Sequence, residues 1–398
     1  MKAEIESISE GTVTSPEGFF AGATSAGISK KAGDKLDLAF LFSEAPCVAA
    51  GVFTNNRIKA APVVLSQKRL KQGRAGAVVV NSGCANACTG ERGVRDATKM
   101  AKLTAEGIGI SPEDVLVAST GVIGVPLPMK RITSAIDQII LSRDGGHELA
   151  RAIMTTDTCA KEIAVKVRVG KSKFTIGGVA KGAGMIHPNM ATLLCFITTD
   201  AAVEKDFLKK ALKKAVDVSF NMISIDGDTS PNDMVLLMAN GMTGSAPAEA
   251  FEQGLEQVCV YLAKAIARDG EGATKLIEVT VDGAPSLAEA RSVARVVVSS
   301  PLVKVAIHGA DPNWGRIMAA VGRSGVEVKE AKTDLYIGNI PVVKSGRPLS
   351  FNKRGIIKLL KGKEVSLSLN LNLGSGKATA WGCDLSEKYV TINSRYMT

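Results

Sequence analysis

The sequence has no apolar run long enough to cross a membrane. A spanning helix needs roughly 18 consecutive apolar residues, and nothing in the 398 residues approaches that length. The first residues also lack the apolar stretch that a secretory signal requires. We therefore predict a cytoplasmic protein with no membrane partner. With 45% apolar and 22% charged residues, the composition is typical of a folded chain and excludes disorder over most of its length.

Aromatic side chains are scarce, at 4% of the residues, although the net charge is +10. A basic balance raises the question of nucleic-acid binding. So few aromatic rings offer little surface for base stacking, and the densest basic run, residues 209–214, is typical of the exposed face of an amphipathic helix. Nucleic-acid binding is thus the weaker hypothesis. Small anionic substrates fit the same charge, which alone does not choose between the two.

Cysteine and histidine do not form the patterns of their usual sites. Seven cysteines are an odd number scattered along the chain, which is not a disulfide framework. Cys84 and Cys88 form the only close pair, with no second pair or nearby histidine to complete a zinc site. A Ser-His-Asp triad would have to use His147, His187 or His308. We predict buried thiols and no metal site.

Nucleotide and hydrolase motifs are absent as well. Residues 374–378 lack the Ser or Thr that follows a P-loop lysine. Residues 182–187 lack the third glycine of a dinucleotide fingerprint. Neither a G-x-S-x-G elbow nor an H-E-x-x-H motif occurs. The sequence therefore predicts no bound cofactor.

What is present is an alternation of strand-like and helix-like segments. Runs rich in Val and Ile, or alternating between apolar and polar residues, predict strands at residues 77–81, 115–119, 163–169, 174–179, 192–198, 275–281, 302–307 and 365–371. Apolar residues three and four apart predict helices over 207–216 and 251–266. Ser286 and Glu289 form a capping box that predicts another helix. A chain of this length in α/β layers predicts two packed domains, or three, with a boundary near residues 281–285.

A glycine-rich segment, residues 177–196, connects two of the predicted strands. Four glycines, Lys181 and one proline lead into an apolar strand whose first residue is Thr192. A hydroxyl at a strand start beneath flexible backbone suits a nucleophile, with Lys181 available for an anionic group. The alternative is a glycine-rich turn followed by a threonine at a strand edge, and the spacing alone favours this ordinary interpretation.

Residues 181–192 read K-G-A-G-M-I-H-P-N-M-A-T. This segment resembles the K-G-x-G-M-[IL]-x-P-x-[ML]-A-T hallmark of the glutamate N-acetyltransferases, also called ornithine acetyltransferases, of arginine biosynthesis. Further blocks resemble that family in its order along essentially the whole chain, at residues 53–56, 60–63, 81–90, 119–124, 154–157, 226–229, 232–233, 309–316 and 389–398.

The resemblance implies the fold. It predicts an α/β protein in which residues 1–283 form an αββα sandwich like that of N-terminal-nucleophile enzymes. Residues 284–398 would form a smaller C-terminal α/β domain. It also implies self-cleavage between Ala191 and Thr192 into an α chain, 1–191, and a β chain, 192–398, assembled as a heterotetramer of two of each.

The resemblance further implies the reaction. Thr192 would take the acetyl group from N2-acetylornithine, release ornithine and pass the acetyl group to glutamate by a ping-pong route. Thr120 and the Gly121 backbone N–H would form the oxyanion hole. The freed α-amine of Thr192, with a pKa of about 8, would be the general base. Acetyl-CoA as a second acetyl donor stays open.

The resemblance also implies the substrate contacts, by the positions of residues in the family's motifs. These are Thr155, Lys181, Thr192, Glu271, Asn393 and Thr398. A cation, a carboxylate and amide or hydroxyl groups suit an α-amino acid. Because Thr398 ends the chain, the tail must be tied down, and we expect Asn393 to anchor it. Asp226, Asp228 and Asp233 lack the spacing of a calcium loop, so we favour structural hydrogen bonding over a cation site. A related N-terminal-nucleophile peptidase or amidase is the alternative enzyme.

Overall fold

A computed structural model describes residues 3–28, 35–187 and 193–395. The strands are β1 Glu4–Ser7, β2 Phe19–Thr24, β3 Leu38–Phe53, β4 Arg74–Asn81, β5 Val115–Ser119, β6 Lys161–Val169, β7 Ser172–Lys181, β8 Leu194–Thr199, β9 Ile223–Ser224, β10 Met234–Ala239, β11 Leu276–Ala284, β12 Asp334–Ile337, β13 Ile340–Lys344, β14 Arg347–Pro348, β15 Glu364–Asn370 and β16 Gly376–Cys383. The helices are α1 Ala61–Arg69, α2 Gly90–Ile108, α3 Met129–Ala135, α4 Gly146–Ala152, α5 Lys205–Val218, α6 Ala248–Arg268, α7 Leu287–Val298, α8 Pro301–His308, α9 Trp314–Gly322, α10 Lys353–Leu360 and α11 Glu387–Arg395.

The first sheet is divided into two halves by the long strand β3. Its order is β1-β6-β7-β8-β10-β3-β4-β5, with β2 also paired to β3. β2 pairs with β3 before a register shift between Phe42 and Cys47, and β10 pairs with β3 after it. Alternate side chains of both halves pack into one buried core between them, among them Leu41, Val78 and Leu116 on one side and Val179, Phe196 and Leu236 on the other. The two halves therefore face each other as two layers.

Helices cover the outer face of each layer. The remaining side chains of β4 and β5, such as Val79 and Val117, pack with Met100 of α2. On the other layer, Ile197 of β8 packs with Leu212 of α5, and α6 belongs to the same core. Because successive strand residues point to opposite faces, each strand contributes to the inner core and to an outer one. The αββα architecture predicted from the resemblance is confirmed.

The second sheet has the order β14-β13-β12-β15-β11-β16-β9. Helix α6 contacts β6 and β7 of the first sheet and β16 of the second, and a single apolar core continues across both. Residues 281–285 lie at the end of β11, a central strand of this second sheet. The division into residues 1–283 and 284–398 stays a prediction.

Several local predictions are confirmed. Helices α5 and α6 contain residues 207–216 and 251–266. The Ser286 side chain accepts a hydrogen bond from the Glu289 N–H at the start of α7, as a capping box requires.

Among the described residues, no helix is both long and apolar enough to span a membrane.

The strand predicted at residues 302–307 is wrong, because these residues form α8. Val303, Ala306 and Ile307 are buried, at the three- and four-residue spacing of a helix face, whereas Leu302 and Val305 are exposed. A short apolar run does not distinguish a strand from a buried helix. Pro301 at the first helical turn was the available signal.

Candidate active site

A cavity of about 200 Å³ lies where β5 and β7 end and where β8 and β10 begin. Six residues predicted from the sequence line it, from five separate segments: Thr120, Gly121, Thr155, Lys181, Glu271 and Asn393. No histidine occurs among the lining residues that the structure describes. The predicted Ala191, Thr192 and Thr398 lie outside the described residues. The roles of all nine stay predictions, and the structure shows where six of them meet.

Thr120 and Gly121 follow β5 in a tightly held turn. The Thr120 N–H donates to the Asn81 carbonyl at 3.0 Å. Gly121 has a φ of +129°, and a Cβ there would lie 2.4 Å from the Gly83 carbonyl carbon, so only glycine fits. A rigid turn of this kind can hold a backbone N–H and a side-chain hydroxyl in fixed directions, as oxyanion stabilisation requires.

Lys181 is the last residue of β7 and brings a cation to the cavity. Its Nζ donates to Thr155 Oγ1 at 2.8 Å and to Thr120 Oγ1 at 3.5 Å. Burial lowers the pKa of the Lys181 ammonium, and the negative charge of Asp157 opposes this effect. Lys181 therefore connects two of the predicted site residues.

Glu271 and Asn393 form a pair in the cavity wall. Asn393 Nδ2, on α11, donates to Glu271 Oε2 at 2.7 Å, and the Glu271 N–H donates to the Ala183 carbonyl at 2.8 Å. A Cβ on Gly184 would lie 2.6 Å from the Glu271 carboxylate. Glycine at this position therefore leaves room for that carboxylate beside the cavity.

Asp226 is a structural acceptor, as we expected. Its carboxylate accepts the N–H groups of Met185 at 2.6 Å and of Ile186 at 2.8 Å. Met185 has a φ of +56°, an uncommon conformation for a side chain of this size. These bonds fix the backbone that leads towards residues 188–192.

Asp233 was not predicted to face the site, although it lies in one of the motif blocks. It lines the cavity, its side chain is buried, and its Oδ2 has no hydrogen-bond partner among the residues that the structure describes. The neighbouring Met234 N–H donates to the Leu193 carbonyl at 2.9 Å, which places Asp233 beside the start of β8. Burial raises the pKa of Asp233 well above its usual range.

Asp233→Asn is expected to remove a pH-dependent loss of stability. Because the pKa of this carboxyl is higher in the folded than in the unfolded state, its ionisation opposes folding. The loss is absent below about pH 4, where both states are protonated, and it grows as the pH rises towards the folded pKa. The thermal midpoint of the variant should therefore rise relative to wild type between pH 5 and pH 8. Exposed Asp228 provides the control Asp228→Asn, and parallel midpoint curves for wild type and Asp233→Asn would contradict the assignment.

The ArgJ family model matches residues 20–398. The chain belongs to the ArgJ family. It is 55% identical over 405 residues to the arginine biosynthesis bifunctional protein ArgJ of Dehalococcoides mccartyi, with 100% of both chains covered. It is 53% identical to the arginine biosynthesis bifunctional protein ArgJ of Symbiobacterium thermophilum, over 98% of this chain and 99% of the relative. These matches confirm the family that the sequence motifs indicated.

Solved ArgJ structures match about half of the chain. The ArgJ protein of Bacillus halodurans is 46% identical and covers 50% of this chain and 97% of its own, with a TM-score of 0.49. The ornithine acetyltransferase of Mycobacterium tuberculosis, in complex with ornithine, is 40% identical and covers 48% and 100%, with a TM-score of 0.44.

Proposed function

We propose that this ArgJ family member transfers the acetyl group of N2-acetylornithine to glutamate in arginine biosynthesis. The curated relatives are bifunctional proteins of that pathway and match this chain over nearly its full length. The observation that carries the proposal is the cavity itself. A hydroxyl and a backbone N–H on a rigid turn, a buried cation and a carboxylate with an amide converge there from distant parts of the chain.

In the proposed reaction, the Thr192 hydroxyl oxygen adds to the acetyl carbonyl of N2-acetylornithine. The resulting oxyanion accepts hydrogen bonds from the Thr120 hydroxyl and the Gly121 N–H, and its collapse breaks the amide bond and releases ornithine. The α-amine of glutamate then attacks the acetyl-Thr192 ester through a second oxyanion in the same position. Collapse of this oxyanion breaks the ester bond, releases N-acetylglutamate and returns a proton to the Thr192 oxygen. Serial use of one ester gives ping-pong kinetics.

Self-cleavage between Ala191 and Thr192 is part of the proposal. The Thr192 hydroxyl attacks the preceding carbonyl, the acyl group moves from nitrogen to oxygen, and water hydrolyses the ester. The freed α-amine has a pKa of about 8, so it accepts a proton near neutrality, where a lysine with a pKa of about 10.4 stays charged. The cleaved chains would form a cytoplasmic heterotetramer of two copies of each piece.

The polar groups that line the cavity suit the two substrates. Lys181 offers a positive charge for the α-carboxylate, beside the Thr155 hydroxyl. Glu271 and the Asn393 amide lie together, so they offer both an acceptor and a donor. The side chain of ornithine ends in an ammonium and that of glutamate in a carboxylate, and the Glu271–Asn393 pair can bond to either group. Thr398 would complete the clamp.

The direct test is acetyl transfer by the purified protein. With N2-acetylornithine and glutamate, we expect equal amounts of ornithine and N-acetylglutamate. Omitting glutamate should stop steady release of ornithine, whereas a related peptidase or amidase would continue by transfer to water. A parallel assay with acetyl-CoA and glutamate determines whether that donor is also used. Absence of N-acetylglutamate from the acetylornithine assay would refute the proposed function.

A further inference from the structure

Three charged side chains lie together behind the cavity, without lining it. Lys161, the first residue of β6, has its Nζ 2.7 Å from Asp157 Oδ1 and 2.6 Å from Asp269 Oδ2. The side chains of Lys161, Asp157 and Asp269 are 1%, 0% and 8% exposed. We call these three residues the buried triad. Burying charges costs desolvation free energy, which only close pairing and further hydrogen bonds offset. The further hydrogen bonds of the triad identify the parts of the chain that it holds in place.

Asp157 holds two predicted substrate contacts at once. Its carboxylate accepts the N–H of Thr155 at 3.0 Å and the N–H of Gly182 at 2.7 Å. Its Oδ2 also lies 3.9 Å from Lys181 Nζ, and Lys181 in turn donates to Thr155. One carboxylate thus fixes the backbone on both sides of the lysine–threonine contact and provides a counter-charge for the lysine.

Asp269 extends the same network to the segment that carries Glu271. It follows the end of α6 and lies two residues before Glu271. Its carboxylate accepts hydrogen bonds from the N–H and the hydroxyl of Thr158. Through Lys161, the segment of Thr155 and the segment of Glu271 are therefore held at one charged centre, although they are separated by more than one hundred residues along the chain.

We propose that Asp157, Lys161 and Asp269 are positioning residues that set the spacing of the substrate clamp, and that Asp157 additionally maintains the positive charge of Lys181. This inference rests on the proposed acetyl transfer. The charged groups that act on Lys181 are Asp157, Lys161, Asp233 and Glu271. Burial lowers the pKa of Lys181, and Asp157 provides the largest opposing influence among these groups.

The test compares two neutralising variants that differ in their contact with Lys181. Asp157→Asn is expected to raise KM for N2-acetylornithine at least about tenfold, the effect of losing one hydrogen bond to a charged group. It should also move the basic limb of the kcat/KM profile towards lower pH by about one pH unit or more, because an adjacent opposite charge shifts a pKa by that amount. Asp269→Asn should raise KM and leave the basic limb in place, because Asp269 contacts Lys161 and Thr158 rather than Lys181.

Exposed Asp137 provides the control Asp137→Asn, which should change neither quantity. Thermal unfolding identifies any variant that does not fold. If Asp157→Asn does not fold, the KM and the pH profile of Asp269→Asn, whose side chain is less buried, test the inference. The inference is overturned if a folded Asp157→Asn or Asp269→Asn variant transfers acetyl groups at the wild-type rate with an unchanged KM. It is also overturned if the basic limb of the kcat/KM profile is displaced in Asp269→Asn. Absence of transfer by the wild type overturns the proposed function instead.

Discussion

Thr192→Ala is expected to leave the chain as one 41.5 kDa polypeptide and to abolish acetyl transfer. Without the hydroxyl there is no nucleophile for the acyl shift, so the α-amine that would act as general base is never released. The acetyl acceptor of the ping-pong route is lost in the same change. Denaturing electrophoresis and the transfer assay measure the two losses separately, and the wild type should show two bands, from residues 1–191 and 192–398.

Thr192→Ser is the matched control, because it keeps the hydroxyl and removes only a methyl group. It should be processed and retain transfer activity, at reduced rates. Turnover by Thr192→Ala would remove Thr192 from the mechanism, and a single full-length band for active wild type would contradict the proposed self-cleavage.

Thr120→Val is expected to lower kcat by a factor of about 10² to 10³, the usual cost of removing one oxyanion donor. Valine has nearly the shape of threonine, and the Thr120 backbone bond to Asn81 does not involve the hydroxyl. The clamp should survive as well, because Lys181 keeps its 2.8 Å bond to Thr155. KM for N2-acetylornithine should therefore change little, and steady-state kinetics separate the two parameters.

Thr120→Ser restores a hydroxyl at this position and should recover most of kcat. Both variants are best assayed after processing is complete, because the same turn would stabilise the oxyanion of self-cleavage. A large increase in KM with kcat unchanged would assign Thr120 to ground-state binding of the substrate instead.

The sequence predicts those parts of the fold that have a local signal. The alternation of Val365, Leu367 and Leu369 with polar residues predicts β15, and the apolar face of α6 predicts that helix. The division of the first sheet into two layers has no such signal. It follows from which residues of β3 pair with β2 and which pair with β10, and β2 and β10 lie more than two hundred residues apart along the chain.

The candidate site divides in the same way. Motif blocks predicted that Thr120, Lys181 and Glu271 belong to one site, and they line one cavity. Asp157 lies in one of the motif blocks, but the blocks do not indicate that it belongs to a buried triad. Lys161 and Asp269 meet across 108 residues and are ordinary charged residues in the sequence. Resemblance identifies residues that act on a substrate more readily than residues that hold them in place.

The strand order of the first sheet has a consequence for how a cleaved protein could refold. Strands β8 and β10 follow the proposed cleavage point, yet they lie between β7 and β3, which precede it, and hydrogen-bond to both. The uncut chain closes this sheet in a unimolecular reaction. Two separated pieces would have to find each other first, so recovery after denaturation would depend on protein concentration, and the enzyme's persistence would be governed by its unfolding rate.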